Sequence, residues 1–79
     1  MDVLYETFNC IVSLSSSRTI DIVINDDRID YDMIIRTIHR LIIEKSLINI
    51  YFCGETRRLF MKVARAICRP YKIFVHLWF

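Results

Sequence analysis

Apolar and polar residues alternate in two neighbouring segments near the start of the chain. In residues 8–14 the even positions are all apolar, and in residues 20–24 isoleucine occupies every second position. A period of two residues is typical of a strand that buries one face. Three serines at 15–17 separate the segments and favour a turn. The pattern predicts two strands joined as a hairpin.

The hydrophobic period lengthens after residue 30. Apolar residues now recur every three or four positions, at Tyr31, Ile34, Ile35, Ile38, Leu41 and Ile42. This spacing places them on one side of a helix over 31–45. Asp30 precedes the helix and can accept hydrogen bonds from its first amides as an N-cap. On the exposed side of this helix, opposite charges lie four residues apart, Asp32 with Arg36 and Arg40 with Glu44. Such pairs stabilise a helix.

A second strand–helix–strand unit completes the chain. Residues 48–53 alternate as a strand that ends at Gly54, the only glycine. Residues 55–69 return to helical spacing, and Pro70 ends this helix. Its inward side carries Leu59, Val63, Ala66 and Ile67. Residues 71–79 alternate once more, with Ile73 on the inward face, and predict the last strand.

These elements predict a single α+β domain over residues 1–79, in the order β-β-α-β-α-β. Strand–helix–strand crossovers are right-handed, so both helices are expected on one face of a four-stranded sheet. One apolar stripe per helix fits such a two-layer sandwich. The other face of the sheet is expected to carry Asn9, Ile11, Val23, Tyr51, Phe74, His76 and Trp78.

Charge is distributed unevenly, although the net charge is only +2. Residues 1–32 contain seven acids and two bases, whereas residues 33–79 contain nine bases and two acids. The strongest cluster is on the second helix, where Arg58, Lys62, Arg65 and Arg69 follow α-helical spacing beside Arg57. A row of cations without an intervening acid is suited to the phosphates of a nucleic acid. A solvated amphipathic helix would show the same pattern.

Aromatic residues on the open sheet face favour association of two chains. Tyr51, Phe74 and Trp78 are predicted to lie there, and 54% of all residues are hydrophobic, which is much for one small core. Aromatics are enriched at protein interfaces, so we expect a homodimer interface at these residues. The same side chains could instead stack on unpaired bases.

The remaining chemistry-bearing residues predict neither a cofactor nor a metal. The cysteines at 10, 53 and 68 form no CxxC motif, and the acidic segment 25–32 lacks the calcium-loop pattern. The turn at 54–58 is not a phosphate-binding P-loop. Neither His39 nor His76 has a neighbouring Ser or Cys that would form a nucleophile pair. A non-enzymatic protein is therefore expected, with the acidic segment, Gly54 and Thr56 as the candidate pieces of an enzyme.

The location expected is the cytoplasm. Widely spaced cysteines, odd in number, are typical of a reducing compartment rather than a disulfide framework. No stretch approaches the ~20 apolar residues that a membrane span requires, so no membrane association is expected.

Residues 20–79 resemble the Alba family of small nucleic-acid-binding proteins in layout. The first strand is Ile20-Asp21-Ile22-Val23-Ile24, and residues 47–54 resemble the second strand running into an Arg-bearing turn. A helix containing Val63-Ala64-Arg65-Ala66-Ile67 and a last strand follow. The resemblance implies a dimer that binds DNA or RNA, with Arg57 and Arg58 matching the family's basic residues after the second strand.

Two functional hypotheses follow. The first is a non-enzymatic nucleic-acid-binding protein that contacts phosphates through Arg57, Arg58, Lys62, Arg65 and Arg69. The alternative is a small protein-interaction module, an effector or inhibitor, that docks an aromatic or acidic surface on a partner protein.

Overall fold

The computed structural model describes residues 2–68 and 71–78, except for the side chains of Cys68 and Trp78. Its elements are β1 (Asp2–Glu6), β2 (Cys10–Ser16), β3 (Thr19–Ile24), α1 (Tyr31–Lys45), β4 (Asn49–Gly54), α2 (Arg57–Val63), a π-helical segment (Ala64–Cys68) and β5 (Phe74–Trp78). None of the helices in this described part is long and apolar enough to cross a membrane.

The strands form one mixed sheet in the order β1-β2-β3-β4-β5. The β1–β2 and β2–β3 pairs are antiparallel, and the β3–β4 and β4–β5 pairs are parallel. The α+β class is confirmed, but the prediction of four strands was wrong because Asp2–Glu6 adds a fifth. The sequence does not predict this strand because its apolar residues, Val3, Leu4 and Tyr5, are consecutive rather than alternating. Its pairing with β2 is also irregular, with a register shift between Val3 and Tyr5.

A single hydrophobic core joins the sheet to the helices. On the sheet, its central members are Ile20, Ile22, Ile24, Ile50 and Phe52, all at most 1% exposed. From the helical side it receives Ile34, Ile38, Leu41, Ile42, Leu59, Val63 and Ile67. The even positions of β2 and β3 therefore face the helices, as their alternation predicts.

Hydrogen bonds at both ends of α1 define where the helix begins and ends, and these bounds match the sequence prediction. The Asp30 side chain accepts a hydrogen bond of 3.1 Å from the Met33 amide, which satisfies one of the unpaired donors at the helix start. Ser46 ends the helix in the left-handed conformation at φ 52°. The Arg18 guanidinium donates to the Ser46 carbonyl at 2.9 Å. This bond ties the β2–β3 turn to the end of the helix.

The second helix differs from the prediction of one α-helix over 55–69. The chain is α-helical over Arg57–Val63 and π-helical over Ala64–Cys68. Ile67, four residues after Val63, is 2% exposed and so lies on the buried side, where an α-helix would also place it. Ala66, predicted to face inward, is exposed instead. Arg69 and Pro70 lie outside the described residues.

Two strand ends also differ from the predictions. The first alternating segment begins pairing at Cys10, and Phe8 is 97% exposed because Thr7 and Cys10 close a turn through their backbones. The last strand begins at Phe74 rather than at residue 71. Lys72 has a φ of 53°, which is incompatible with an extended strand.

Buried Cys10 predicts a loss of stability at alkaline pH. Burial raises the pKa of its thiol from 9.0 to about 11. The folded chain then holds a proton that the unfolded chain releases above pH 9, so stability falls as pH rises from 9 towards 11. A pKa difference of about two between the folded and the unfolded chain corresponds to about 2–3 kcal/mol of unfolding free energy. Cys10→Ala should flatten the fall measured by denaturant unfolding, and equal falls in both proteins would contradict this assignment.

Candidate nucleic-acid interface

The site lies at the carboxyl ends of two adjacent parallel strands, β3 and β4. The loops that follow these strands meet where the Glu55 amide donates to the Ile24 carbonyl at 2.8 Å. Gly54 makes the turn at a φ of 81°, which a residue without Cβ adopts readily. The Thr56 amide donates to the Gly54 carbonyl at 2.8 Å. These bonds fix where α2 starts relative to the sheet.

A surface depression of about 570 Å³ opens beside this turn. We call it the basic depression. Its lining residues are Asp27, Glu55, Arg57, Arg58, Met61, Lys62 and Arg65. Four cations, two carboxylates and one thioether thus share a single concave surface.

Two cations of α2, Arg58 and Lys62, contact the ring of Tyr31 at the start of α1. The Arg58 guanidinium carbon lies 5.9 Å from the centre of the Tyr31 ring, and Lys62 Nζ lies 5.8 Å from it. The Tyr31 hydroxyl donates to the Asp27 carbonyl at 3.1 Å. Cation–π attraction at such an exposed site contributes about 0.5–1 kcal/mol. Tyr31 therefore orients both cations without neutralising them.

The four cations have no acidic partner within the described part of the chain. The ion pairs between described residues are Arg28–Asp26 at 2.7 Å and Arg40–Glu44 at 4.0 Å. Arg57, Arg58, Lys62 and Arg65 are all exposed. Together with Asp27 and Glu55 they leave the depression with a formal charge of +2. A concave surface with an excess of positive charge attracts anionic ligands.

The structure brings together four of the five residues predicted to bind phosphate. Arg57, Arg58, Lys62 and Arg65 line one depression, and Arg69 lies outside the described residues. The straight α-helical stripe is altered, because Arg65 belongs to the π-helical segment. π turns are frequent at functional sites.

Sequence reasoning missed three features of this surface. Tyr31 packs against the core as its spacing predicts, but its contacts with Arg58 and Lys62 were not predicted. Neither Met61 nor Asp27 was predicted to line the site. Tyr31 is half-buried and Met61 is 50% exposed. The available signal was the position of Asp27 and Glu55 after neighbouring strands, which places both loops at the same edge of a parallel sheet.

The acidic segment has local structural roles. Arg28 donates hydrogen bonds to the Asp26 carboxylate and holds its pKa below the ordinary value. Asp30 caps α1. No three His, Cys, Asp or Glu side chains of the described chain come together in a way that could hold a metal ion.

The open sheet face carries the other predicted site. The Tyr51 and His76 rings are stacked at 4.3 Å and 13°, and His76 Nε2 lies 3.2 Å from Asn49 Oδ1. Phe74 is 67% exposed. Trp78 pairs with Cys53 through the strand register, and its side chain lies outside the described atoms.

The stacked pair bears on the choice between base stacking and dimerisation. Tyr51 and His76 each turn one ring face towards the other, so those two faces are closed to a nucleic-acid base. A shallower depression of about 410 Å³ lies beside them, lined by Asp21, Val23, Tyr51 and Cys53. The stacking of Tyr51 on His76 reduces the number of ring faces on which a base could stack.

Comparisons with protein families, with curated proteins and with solved structures found no match.

Proposed function

We propose that this protein is a non-enzymatic nucleic-acid-binding protein that holds phosphates in the basic depression. The proposal rests on one observation above all. Arg57, Arg58, Lys62 and Arg65 line a single concave surface, and each is exposed without an acidic partner among the described residues. Cations arranged in this way release counter-ions when they meet phosphates, which drives association.

Arginine chemistry supports the same function. Three of the four cations are arginines, whose planar guanidinium group donates two parallel hydrogen bonds to a phosphate. An ordinary solvated helix face has alternating charges that neutralise one another, as Arg40 and Glu44 do on α1. The exposed side of α2 has no such pairs within the described chain.

Salt dependence tests the proposal. Fluorescence anisotropy would follow the unmodified protein with short labelled DNA and RNA at several salt concentrations. Each neutralised phosphate contributes about −0.9 to the slope of log affinity against log salt on duplex DNA and about −0.7 on single strands. A slope of about −2 or steeper supports the proposal, and absence of salt-dependent binding to any of these nucleic acids contradicts it.

The Alba-like layout is part of this proposal. The strand Thr19–Ile24, the helix Tyr31–Lys45 and the strand Asn49–Gly54 follow the order on which the resemblance rests. Arg57 and Arg58, the residues that match the family's basic turn, lie in the basic depression.

A homodimer through β5 and the open face is proposed as the binding form. β5 is an edge strand, and its sequence FVHLW contains no acid or lysine that would discourage pairing. The opposite edge, β1, carries Asp2 and Glu6. A second copy of the chain can pair with β5 around a two-fold axis, so that open-face side chains of the partner lie beside Phe74.

Sedimentation equilibrium at high micromolar concentration should therefore show a dimer. Phe74→Asp should shift the protein towards monomer, because it places a charge in the proposed interface. Val3, 56% exposed on the opposite edge, provides the control, since Val3→Asp should leave the association unchanged. A wild-type protein that remains monomeric at these concentrations would contradict the proposed dimer.

The exposed open face also supports the alternative function, a protein-interaction module. Phe74 and Val23 leave apolar surface at 67% and 36% exposure, and such patches mark interaction sites. If the salt titrations show no nucleic-acid binding, this second function becomes the leading one.

A further inference from the structure

The basic depression contains more than a phosphate site requires. Its two carboxylates, Asp27 and Glu55, stand among four cations. A carboxylate repels phosphate, so a surface selected only for phosphates would not need either group. Met61 adds an exposed thioether to the same lining. The combination fits a ligand that carries an anion, a flat apolar body and a hydrogen-bond donor.

We infer that the basic depression takes one nucleotide of a single strand and favours bases that carry an exocyclic amino group. This inference rests on the proposed nucleic-acid function. Arg57, Arg58, Lys62 and Arg65 would hold the flanking phosphates. The base would lie against Met61, and its amino group would donate to the carboxylate of Glu55 or Asp27.

The size and position of the depression support a single nucleotide. A volume of about 570 Å³ is within the range of small-ligand pockets, about 300–1,000 Å³. The Glu55 backbone is fixed by its hydrogen bond to the Ile24 carbonyl. Asp27 is held from the other side, since its carbonyl accepts from the Tyr31 hydroxyl. Both carboxylates therefore start from anchored backbone positions.

Base chemistry then gives the selectivity. Cytosine, adenine and guanine have exocyclic amino donors, whereas thymine and uracil have none. Acidic side chains accept hydrogen bonds from the cytosine amino group. In a duplex the base is stacked and one hydrogen of its amino group is paired with the complementary strand. A concave site can therefore enclose the base and its whole Watson–Crick edge only in a single strand. Thymine would leave a carboxylate next to a carbonyl oxygen, which is repulsive.

The test compares labelled 12-nucleotide (dC) and (dT) strands and a 12-base-pair duplex by fluorescence anisotropy at one low salt concentration. Wild-type protein should bind the (dC) strand at least about fivefold more tightly than the (dT) strand. The Glu55→Gln/Asp27→Asn variant should reduce this ratio towards one and strengthen binding to the (dT) strand. Glu44→Gln, which changes an exposed carboxylate outside the depression, should leave the ratio unchanged.

The outcomes separate this inference from the proposed function. If the protein binds both strands and the duplex equally, the inference is overturned, while phosphate binding stands if the separate salt titration gives its expected slope. A preference for the (dC) strand that survives in the Glu55→Gln/Asp27→Asn variant also overturns it. If no strand and no duplex binds, the proposed function itself fails.

Discussion

Gly54→Ala should destabilise the protein by about 3 kcal/mol or more, because the added Cβ clashes with backbone and the residue keeps a positive φ. A Cβ at this position would meet the Ile24 carbonyl oxygen well inside van der Waals distance. That oxygen belongs to backbone fixed in the sheet and accepts a hydrogen bond from the Glu55 amide. Moving it would therefore break backbone hydrogen bonds. The φ of 81° adds strain of about 1 kcal/mol or more. Urea unfolding would measure the change.

Ser46→Gly is the control for this substitution. Ser46 and Lys72 hold φ values of 52° and 53° although both have a Cβ atom, so a positive φ alone does not require glycine in this protein. Removing the side chain of Ser46 should change stability by about 1 kcal/mol or less. A Gly54→Ala variant as stable as the wild type would show that β3 and β4 do not approach each other as described.

The second large effect is expected on binding. Lys62→Glu/Arg65→Glu should weaken affinity for DNA and RNA about a hundredfold or more at moderate salt. Two charge-assisted hydrogen bonds of about 1.5–3 kcal/mol each would be lost, and repulsion of phosphate would replace them. Both side chains are exposed. Unfolding free energy should therefore change by only about 1 kcal/mol, including the cation–π contact of Lys62 with Tyr31.

A matched charge reversal on α1 distinguishes attraction by the basic depression from attraction by the overall charge of the protein. Arg36→Glu/Lys45→Glu changes the net charge by the same amount at exposed positions outside the basic depression. It should weaken binding far less than the reversal on α2. Equal losses in the two variants would indicate attraction by overall charge rather than by this surface.

Periodicity predicted the elements that carry a regular pattern. α1 begins and ends where its apolar spacing and Asp30 place it, because caps and an apolar stripe are local signals. β3 and β4 likewise match their alternating residues. β1 could not be found in this way, since its apolar residues are consecutive and its pairing with β2 is interrupted by a shift of register.

The candidate site was predictable only in part. The cations of α2 are visible in the sequence as a row without acids, and four of them line one depression. The π-helical segment has no sequence signature that distinguishes it from α-helix, so the exposure of Ala66 was not foreseen. The proximity of Asp27, Tyr31 and Lys62 depends on how α1 and α2 pack, which one-dimensional spacing does not contain.

The most direct measurement of the central claim is the salt slope of the single variant Lys62→Ala beside that of the wild type on the same short oligonucleotide. Lys62 lies between Arg58 and Arg65 in the basic depression. If it meets a phosphate, its removal should make the slope of log affinity against log salt shallower by about 0.7–0.9 per chain, depending on strand type. Parallel lines for the two proteins would contradict phosphate binding at this surface.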